Sequence, residues 1–160
     1  MTLRIGHGMD AHRLVAGRPL MLGCVNVPHE RGLAGHSDGD AVVHALCDAL
    51  LGAAGQGDMG RHFPSADERW RDATGAEFLR AVADLLSERS ARLVSAQVVA
   101  IAEEPRLAAH LGAMSAACAA ALGVDGALLR VTATSSDGLG FTGRGEGIGA
   151  SAVVLLDVGA

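Results

Sequence analysis

Three side chains near the start of the chain have the types and spacing of a metal site. Asp10 and His12 stand two apart in Asp10-Ala11-His12, and in an extended segment such residues point the same way. They can grip one ion from one side, and His44, on the helical segment that follows, can close the site. One carboxylate and two imidazoles make three protein ligands, the count that leaves a catalytic zinc one open position. Any one histidine taken alone is more often a surface or hydrogen-bonded residue. The Asp-x-His pair strengthens the metal reading without removing that alternative.

Two further segments have anion-binding character. Gly35-His36-Ser37-Asp38-Gly39-Asp40 runs into a helix, and helix N-termini attract phosphate through free amides and dipole. His36 and Ser37 are thus placed to touch a phosphate oxygen. Capping by Ser37 or Asp38 is the alternative, but it leaves the two glycines and the histidine without a role. The run from Thr134, Ser135, Ser136 and Asp137 to Gly147 joins hydroxyls to many glycines. Its amides could approach a diphosphate, and Asp137 could bind Mg²⁺ or Mn²⁺ through oxygen. It is no P-loop, lacking GK[ST], and no dinucleotide fingerprint, since a strand follows it. On spacing alone, a glycine-permitted loop between strands is the better account. Ala102-Glu103-Glu104-Pro105-Arg106 reads by itself only as a helix start.

The elements that must position these residues alternate along the chain. Strands are expected over Thr2–Gly8, Pro19–Val27, Val94–Ala102 (apolar enough for burial on both faces), Leu128–Thr134 and Ser151–Val158. Asp38–Ala54 has helical spacing at Val42, Val43, Leu46, Ala49, Leu50 and Ala53. Gly57–Trp70 reads as a loop. Thr74 to Glu77 has capping-box spacing and opens a helix to about Glu88. Pro105 suits the first turn of a helix that Gly123 ends. That helix is apolar almost all round, so it is expected to be deeply buried or to face another subunit. The alternation implies a two-layer α/β domain spanning residues 1–160.

Composition narrows the function classes. The 160 residues are 49% hydrophobic but only 2% aromatic, so Ala, Val and Leu must build the core, and oligomerisation is a reasonable prior. A net charge of −5 without a Lys/Arg run argues against nucleic acid or an anionic membrane as partner. Cys24, Cys47 and Cys118 form no CxxC pair and suggest neither a disulfide framework nor a cysteine zinc site. With no signal-like apolar stretch at the N-terminus and no bilayer-length apolar run, a soluble, cytoplasmic protein is expected.

Taken together, Ile5-Gly6-His7-Gly8-Met9-Asp10-Ala11-His12, Gly35-His36-Ser37-Asp38-Gly39-Asp40, Gly57-Asp58-Met59-Gly60 and Leu139 to Gly147 resemble the 2-C-methyl-D-erythritol 2,4-cyclodiphosphate synthase family, in that family's order and over essentially the whole chain. The resemblance implies an α+β fold, a mixed sheet with helices on the other face, and a homotrimer with active sites between subunits. The implied lyase reaction, in the non-mevalonate isoprenoid pathway, closes a cyclic diphosphate and releases CMP. Asp10, His12 and His44 would hold Zn²⁺, and Asp137 a second divalent ion, Mg²⁺ or Mn²⁺. His36 and Ser135 would act on the transition state, with Asp10, Ala11, His12, His36 and Ser37 contacting substrate. Asp58, Met59 and Gly60 with Phe63, Pro64, Ser65, Ala66 and Asp67 would hold the methylerythritol part. Ala102, Glu103, Glu104, Pro105, Arg106, Leu107 and Ala108 with Thr134, Ser135, Ser136 and Asp137 would form the cytidine and diphosphate side, supplied by a neighbouring subunit. Phe141 and Arg144 also match substrate positions.

Met9, Ser135, Asp137 and Gly138 depart from the commoner family pattern, which affects fine geometry rather than assignment. Arg144 and Glu146 would line a trimer cavity able to hold an isoprenoid diphosphate, or form an intersubunit salt bridge. Two other readings fit the same motifs: a metal-dependent phosphohydrolase, and a trimeric binding module with structural zinc. The three-ligand count weighs against the second, because structural zinc sites usually have four protein ligands.

Overall fold

The computed structural model describes residues 1–159. A five-stranded mixed sheet lies on one side and helices on the other. Its strands are β1 (Leu3–Ala16), β4 (Arg31–Leu33), β5 (Arg92–Ile101), β6 (Leu129–Thr134) and β7 (Gly147–Asp157), in spatial order β4-β1-β7-β5-β6. Among the described residues, only β5 and β6 run parallel. A separate hairpin pairs β2 (Leu20–Leu22) with β3 (Val25–Val27).

Helix α1 (Ala41–Ala53) packs on β1 and β7, α3 (Gly75–Glu88) packs beside it, and α4 (Leu111–Leu122) packs on α3 and β6. The core is aliphatic, with Leu46, Leu50, Leu51, Leu79, Ile148 and Leu156 fully buried. Two glycines let β1 lie directly on α1: a Cβ at Gly6 would sit 1.9 Å from the Ala49 carbonyl oxygen, and one at Gly8 would sit 2.1 Å from that of Ala45. This close approach brings the next inward residues of β1, Asp10 and His12, to the flank of α1.

Several elements differ from expectation. β1 runs on to Ala16, because its pairing with β7 continues past Gly8 to Arg13 and its pairing with β4 covers Leu14 to Ala16. β7 begins at Gly147 rather than Ser151 for the same reason. β5 is buried on one face only: Ala96, Val98 and Ala100 point inward while Gln97 is exposed. α4 begins at Leu111, after a 3-10 turn over Ala108–His110, so Pro105 lies in the preceding loop. Its inner side is Met114, Ser115, Cys118, Ala119 and Leu122, and Ala113, Ala116 and Ala120 are exposed. Small alanines satisfy either side, which is why composition could not orient it. Gly57–Trp70 contains a short helix, α2 (Met59–His62), and a 3-10 turn (Glu68–Trp70). The capping box at Thr74 and Glu77 and the left-handed cap at Gly123, φ +68°, are as expected.

Candidate active site

The fold gathers Asp10, His12 and His44 into one cluster whose ligand atoms lie within 4.8 Å of one another. His12 Nε2 is 2.8 Å and His44 Nδ1 3.0 Å from the same Asp10 Oδ2. The two ring nitrogens are 3.1 Å apart. The outer atom of each ring is occupied. His12 Nδ1–H donates to the Ala34 carbonyl at 2.6 Å, and His44 Nε2 lies 3.2 Å from Ser37 Oγ. The Ala34 carbonyl requires a proton on His12 Nδ1, so His12 Nε2 presents a lone pair to the carboxylate, and His44 Nδ1 does likewise when its Nε2–H donates to Ser37 Oγ. Three acceptors aimed at one point need a positive charge among them, so the donor set fits a divalent cation.

Without a metal that charge is a proton. The Asp10 hydrogen bond raises the His12 pKa, opposed by burial and aided by the carboxylate's charge and the Ala34 carbonyl. Burial alone pushes the Asp10 carboxyl up, but hydrogen bonds and charge from His12 and His44 outweigh it and hold Asp10 well below the usual carboxylate range.

The N-terminus of α1 corrects one expectation. The cap is Asp40, not Ser37 or Asp38, and its buried carboxylate accepts from Val43 N at 3.1 Å, Gly23 N at 2.9 Å and Cys24 N at 2.8 Å. The capping role therefore belongs to Asp40 rather than to Ser37 or Asp38. Asp38 instead accepts from Gly75 N at 2.8 Å, joining this loop to α3. Ser37 is buried behind His44. Arg18 steadies the loop by donating to the carbonyls of Gly35 and Ser37 at 2.8 and 2.6 Å. The ring Nε2 of His36 is buried and has no hydrogen-bond partner among the described residues.

Asp58, Met59 and Gly60 are tied to the metal helix. Asp48, one turn after His44, accepts from Met59 N at 2.8 Å, and Asp58 caps α2 by accepting from Arg61 N at 3.0 Å. Burial raises the Asp48 pKa. The loop holding Pro64, Ser65, Ala66 and Asp67 starts from Phe63, whose ring is edge-on to Trp70 at 4.7 Å and to Phe78 at 5.2 Å. Phe78 in turn meets the His44 ring edge-on at 5.6 Å. Three of the four Phe and Trp residues thus form one wall behind the cluster.

Ala102, Glu103, Pro105, Arg106, Leu107 and Ala108 line one cavity with Ala133, Thr134 and Ser135, of about 380 Å³. Glu104 faces an adjoining hollow with His29. This cavity is not beside the metal cluster of its own chain. Along the row Ala11–Gly149–Ile101–Thr134, three strand spacings intervene, roughly 14 Å at ~4.8 Å each. Asp137 is exposed, with φ +55°, and belongs to no metal-ligand cluster among the described residues. Ser136 is turned inward on Thr142, Oγ to Oγ1 2.7 Å. Phe141 lines a hollow with Ala11, His12 and Arg13. Arg144 pairs with Glu146 of its own chain at 2.8 Å, both exposed, so that pairing does not require another subunit.

Sequence reasoning missed Ala34, Asp48 and Phe78, and quoted Asp40 at the helix entry without singling it out. Asp40 and Asp48 are spaced −4 and +4 from His44 on one helical segment, a signal that could have marked them. Ala34 acts through its carbonyl and Phe78 through packing, which leave no motif.

The YgbB family model matches residues 3–157. The 2-C-methyl-D-erythritol 2,4-cyclodiphosphate synthase of Moorella thermoacetica is 54% identical over 154 residues, 96% of this chain and 94% of that protein. The Geobacillus kaustophilus enzyme of the same name is 52% identical over 153 residues, 96% and 97% of the two chains. A solved synthase structure in its CDP-bound form superposes with a TM-score of 0.87 at 41% identity, covering 96% of this chain and all (100%) of that one. The bifunctional IspDF of Campylobacter jejuni superposes at 0.94 with 35% identity, covering 99% of this chain but 43% of the longer protein. The chain belongs to the YgbB family of 2-C-methyl-D-erythritol 2,4-cyclodiphosphate synthases.

Proposed function

We propose that this single-domain chain converts 4-diphosphocytidyl-2-C-methyl-D-erythritol 2-phosphate to the 2,4-cyclodiphosphate and CMP, as a cytoplasmic homotrimer. The observation that carries the reading is the convergence of Asp10 Oδ2, His12 Nε2 and His44 Nδ1, in a chain about half identical to named synthases. The 2-phosphate oxygen forms a bond to the β-phosphorus. The bond from that phosphorus to the bridging oxygen breaks, and the electron pair leaves on CMP. A phosphate with its second pKa near ~6 is already an adequate nucleophile at neutral pH. The protein's task is therefore to fold the substrate back on itself and to place donors against crowded charge.

Asp10, His12 and His44 would hold Zn²⁺, which when bound supplies a Lewis acid for phosphate oxygens at its open position. Asp58, Met59 and Gly60 and the Phe63–Asp67 loop would orient the methylerythritol, supported by their ties to Asp48 and Phe78. The cavity of Ala102–Ala108 and Thr134–Ser135 would take the cytidine diphosphate end, as suits a relative solved with CDP. His36 and Ser135 are the proposed transition-state donors, with Asp137 the site of Mg²⁺ or Mn²⁺. Phe141 and Arg144 would add substrate contacts.

Two facts favour a trimer with shared sites. The metal cluster and the cavity of one chain are too far apart for a compact diphosphate to bridge easily. The outer sheet face also exposes Ile5 (74%), Met9 (66%) and Val153 (50%), an apolar surface of the kind subunits cover. An isoprenoid diphosphate near Arg144 stays a subsidiary proposal.

Turnover in ¹⁸O-labelled water tests the reaction class. Cyclisation leaves both products free of solvent oxygen; label in CMP or in a linear diphosphate would instead establish a phosphohydrolase.

A further inference from the structure

The turn between β1 and β2 carries an arginine that reaches across to the loop before α1. Arg18 is half-buried. Its Nη1 donates to the Gly35 carbonyl at 2.8 Å and its Nη2 to the Ser37 carbonyl at 2.6 Å. One planar fork thus closes on two carbonyls of one loop, with the short contacts of a charged donor. The base of Arg18 is fixed too. A Cβ at Gly32 would lie 2.5 Å from the Arg18 carbonyl oxygen and 2.2 Å from that of Pro19, so the main chain there is seated on β4.

The loop it grips touches both histidines of the metal cluster. The Ala34 carbonyl accepts from His12 Nδ1 at 2.6 Å, and a Cβ at Gly35 would stand 3.4 Å from Cε1 and Nδ1 of the same ring. Ser37 Oγ lies 3.2 Å from His44 Nε2. On the other side, Asp72 N donates to the His36 carbonyl at 2.9 Å and Asp38 N to the Ala73 carbonyl at 3.1 Å. A peptide plane turns as a unit. With the Gly35 and Ser37 oxygens drawn to Arg18, the amides of His36 and Asp38 face away from it, as the bond from Asp38 to Ala73 requires. Arg18 is therefore one jaw of a clamp whose other jaw is residues 72–73.

We propose that Arg18 is a positioning residue of the metal centre, holding the loop that orients His12 and His44. The inference rests on the metal site proposed above. The sign of its effect separates positioning from charge. A guanidinium near a bound cation repels it, so removing the charge alone would tighten zinc binding. Loss of positioning does the reverse. Outer partners of metal-binding histidines are worth about 10–100-fold in affinity, and Arg18 acts on them at one remove.

The test is a zinc competition titration of the purified full chain, wild type against Arg18→Ala, with no substrate present. Arg18→Ala should bind zinc about tenfold more weakly, the lower end of that range. Guanidinium chloride, far below denaturing concentrations, should restore most of the loss, and sodium chloride at equal ionic strength should not. Arg18→Lys, which keeps the stem and the charge but not the fork, should fall between wild type and Arg18→Ala. Equal or tighter binding by Arg18→Ala, or a loss that guanidinium leaves in place, would overturn the assignment. A wild-type chain that binds no zinc would remove the metal-site reading as well, whereas zinc-binding wild type matched by Arg18→Ala would remove this inference alone.

Discussion

His12 Nδ1 donates to the Ala34 carbonyl oxygen at 2.6 Å, so the other ring nitrogen of His12 is the one turned toward Asp10. A main-chain oxygen on the loop before α1 therefore sets the chemistry of a side chain on β1. The matching device for His44 is Ser37 Oγ at 3.2 Å. Together they hold the outer nitrogen of each ring, which leaves the inner nitrogens facing Asp10.

Ser37→Ala removes the partner of His44 Nε2 while changing little volume. Outer partners of this kind are typically worth about 10–100-fold in metal affinity. A zinc competition titration should show a loss in that range, with the thermal midpoint of the metal-free protein nearly unchanged. Unaltered zinc affinity would show that Ser37 does not orient the ring.

Protonation should oppose metal binding. Because Asp10 raises the His12 pKa, the ion must displace a proton there below that value. Zinc affinity should then fall by about tenfold per pH unit for the one proton released. Calorimetry in buffers of different ionisation enthalpy would count that proton.

The same pair shapes metal-free stability. His12's contribution is fully present below its unfolded value of 6.5 and is lost as pH rises through the raised folded value. Asp10's is present above its unfolded value of 3.8 and is lost as pH falls through the depressed one. The pair therefore supports folding most between those unfolded values. Urea midpoints of metal-free protein across pH should show a maximum there that Asp10→Asn flattens.

Gly8→Ala tests the seating of β1 on α1. The added methyl would meet the Ala45 carbonyl oxygen at 2.1 Å, so strand and helix must separate. Overpacking of this kind costs about 1–3 kcal/mol or more, and here it also moves Asp10 and His12 from His44. Both urea stability and zinc affinity should fall, whereas Gly17→Ala, with open space around its Cβ but φ +79°, should touch stability alone.

Asp40→Ala strips three amide partners from a fully buried site. Each buried donor left unpaired costs ~1–3 kcal/mol, so chemical denaturation should show a loss of at least ~3 kcal/mol. A change below about 1 kcal/mol would mean that water replaces the carboxylate there.

What could be read from the sequence was whatever depends on residue type at short range. Asp10 and His12 declare themselves by alternation, α1 by its apolar spacing, and α3 by Thr74 and Glu77. What could not be read depends on contacts far apart in the chain. The length of β1 comes from its partner β7, 146 positions later by the pairing of His7 with Val153. Asp40 stands where a local cap is allowed, but that the amides of Gly23 and Cys24 converge on the same carboxylate is a contact no local rule foresees. The start of α4 slipped from Pro105 to Leu111 because proline tolerates a helix start without requiring one. The alanine-rich side of α4 fits core and surface equally.

The central claim is tested most directly by phosphorus NMR of the purified protein given the cytidine substrate with Zn²⁺ and Mg²⁺. The account predicts a cyclic diphosphate and CMP in equal amounts, and no turnover by His44→Ala. Linear hydrolysis products, or full cyclisation by His44→Ala after metal removal, would contradict it.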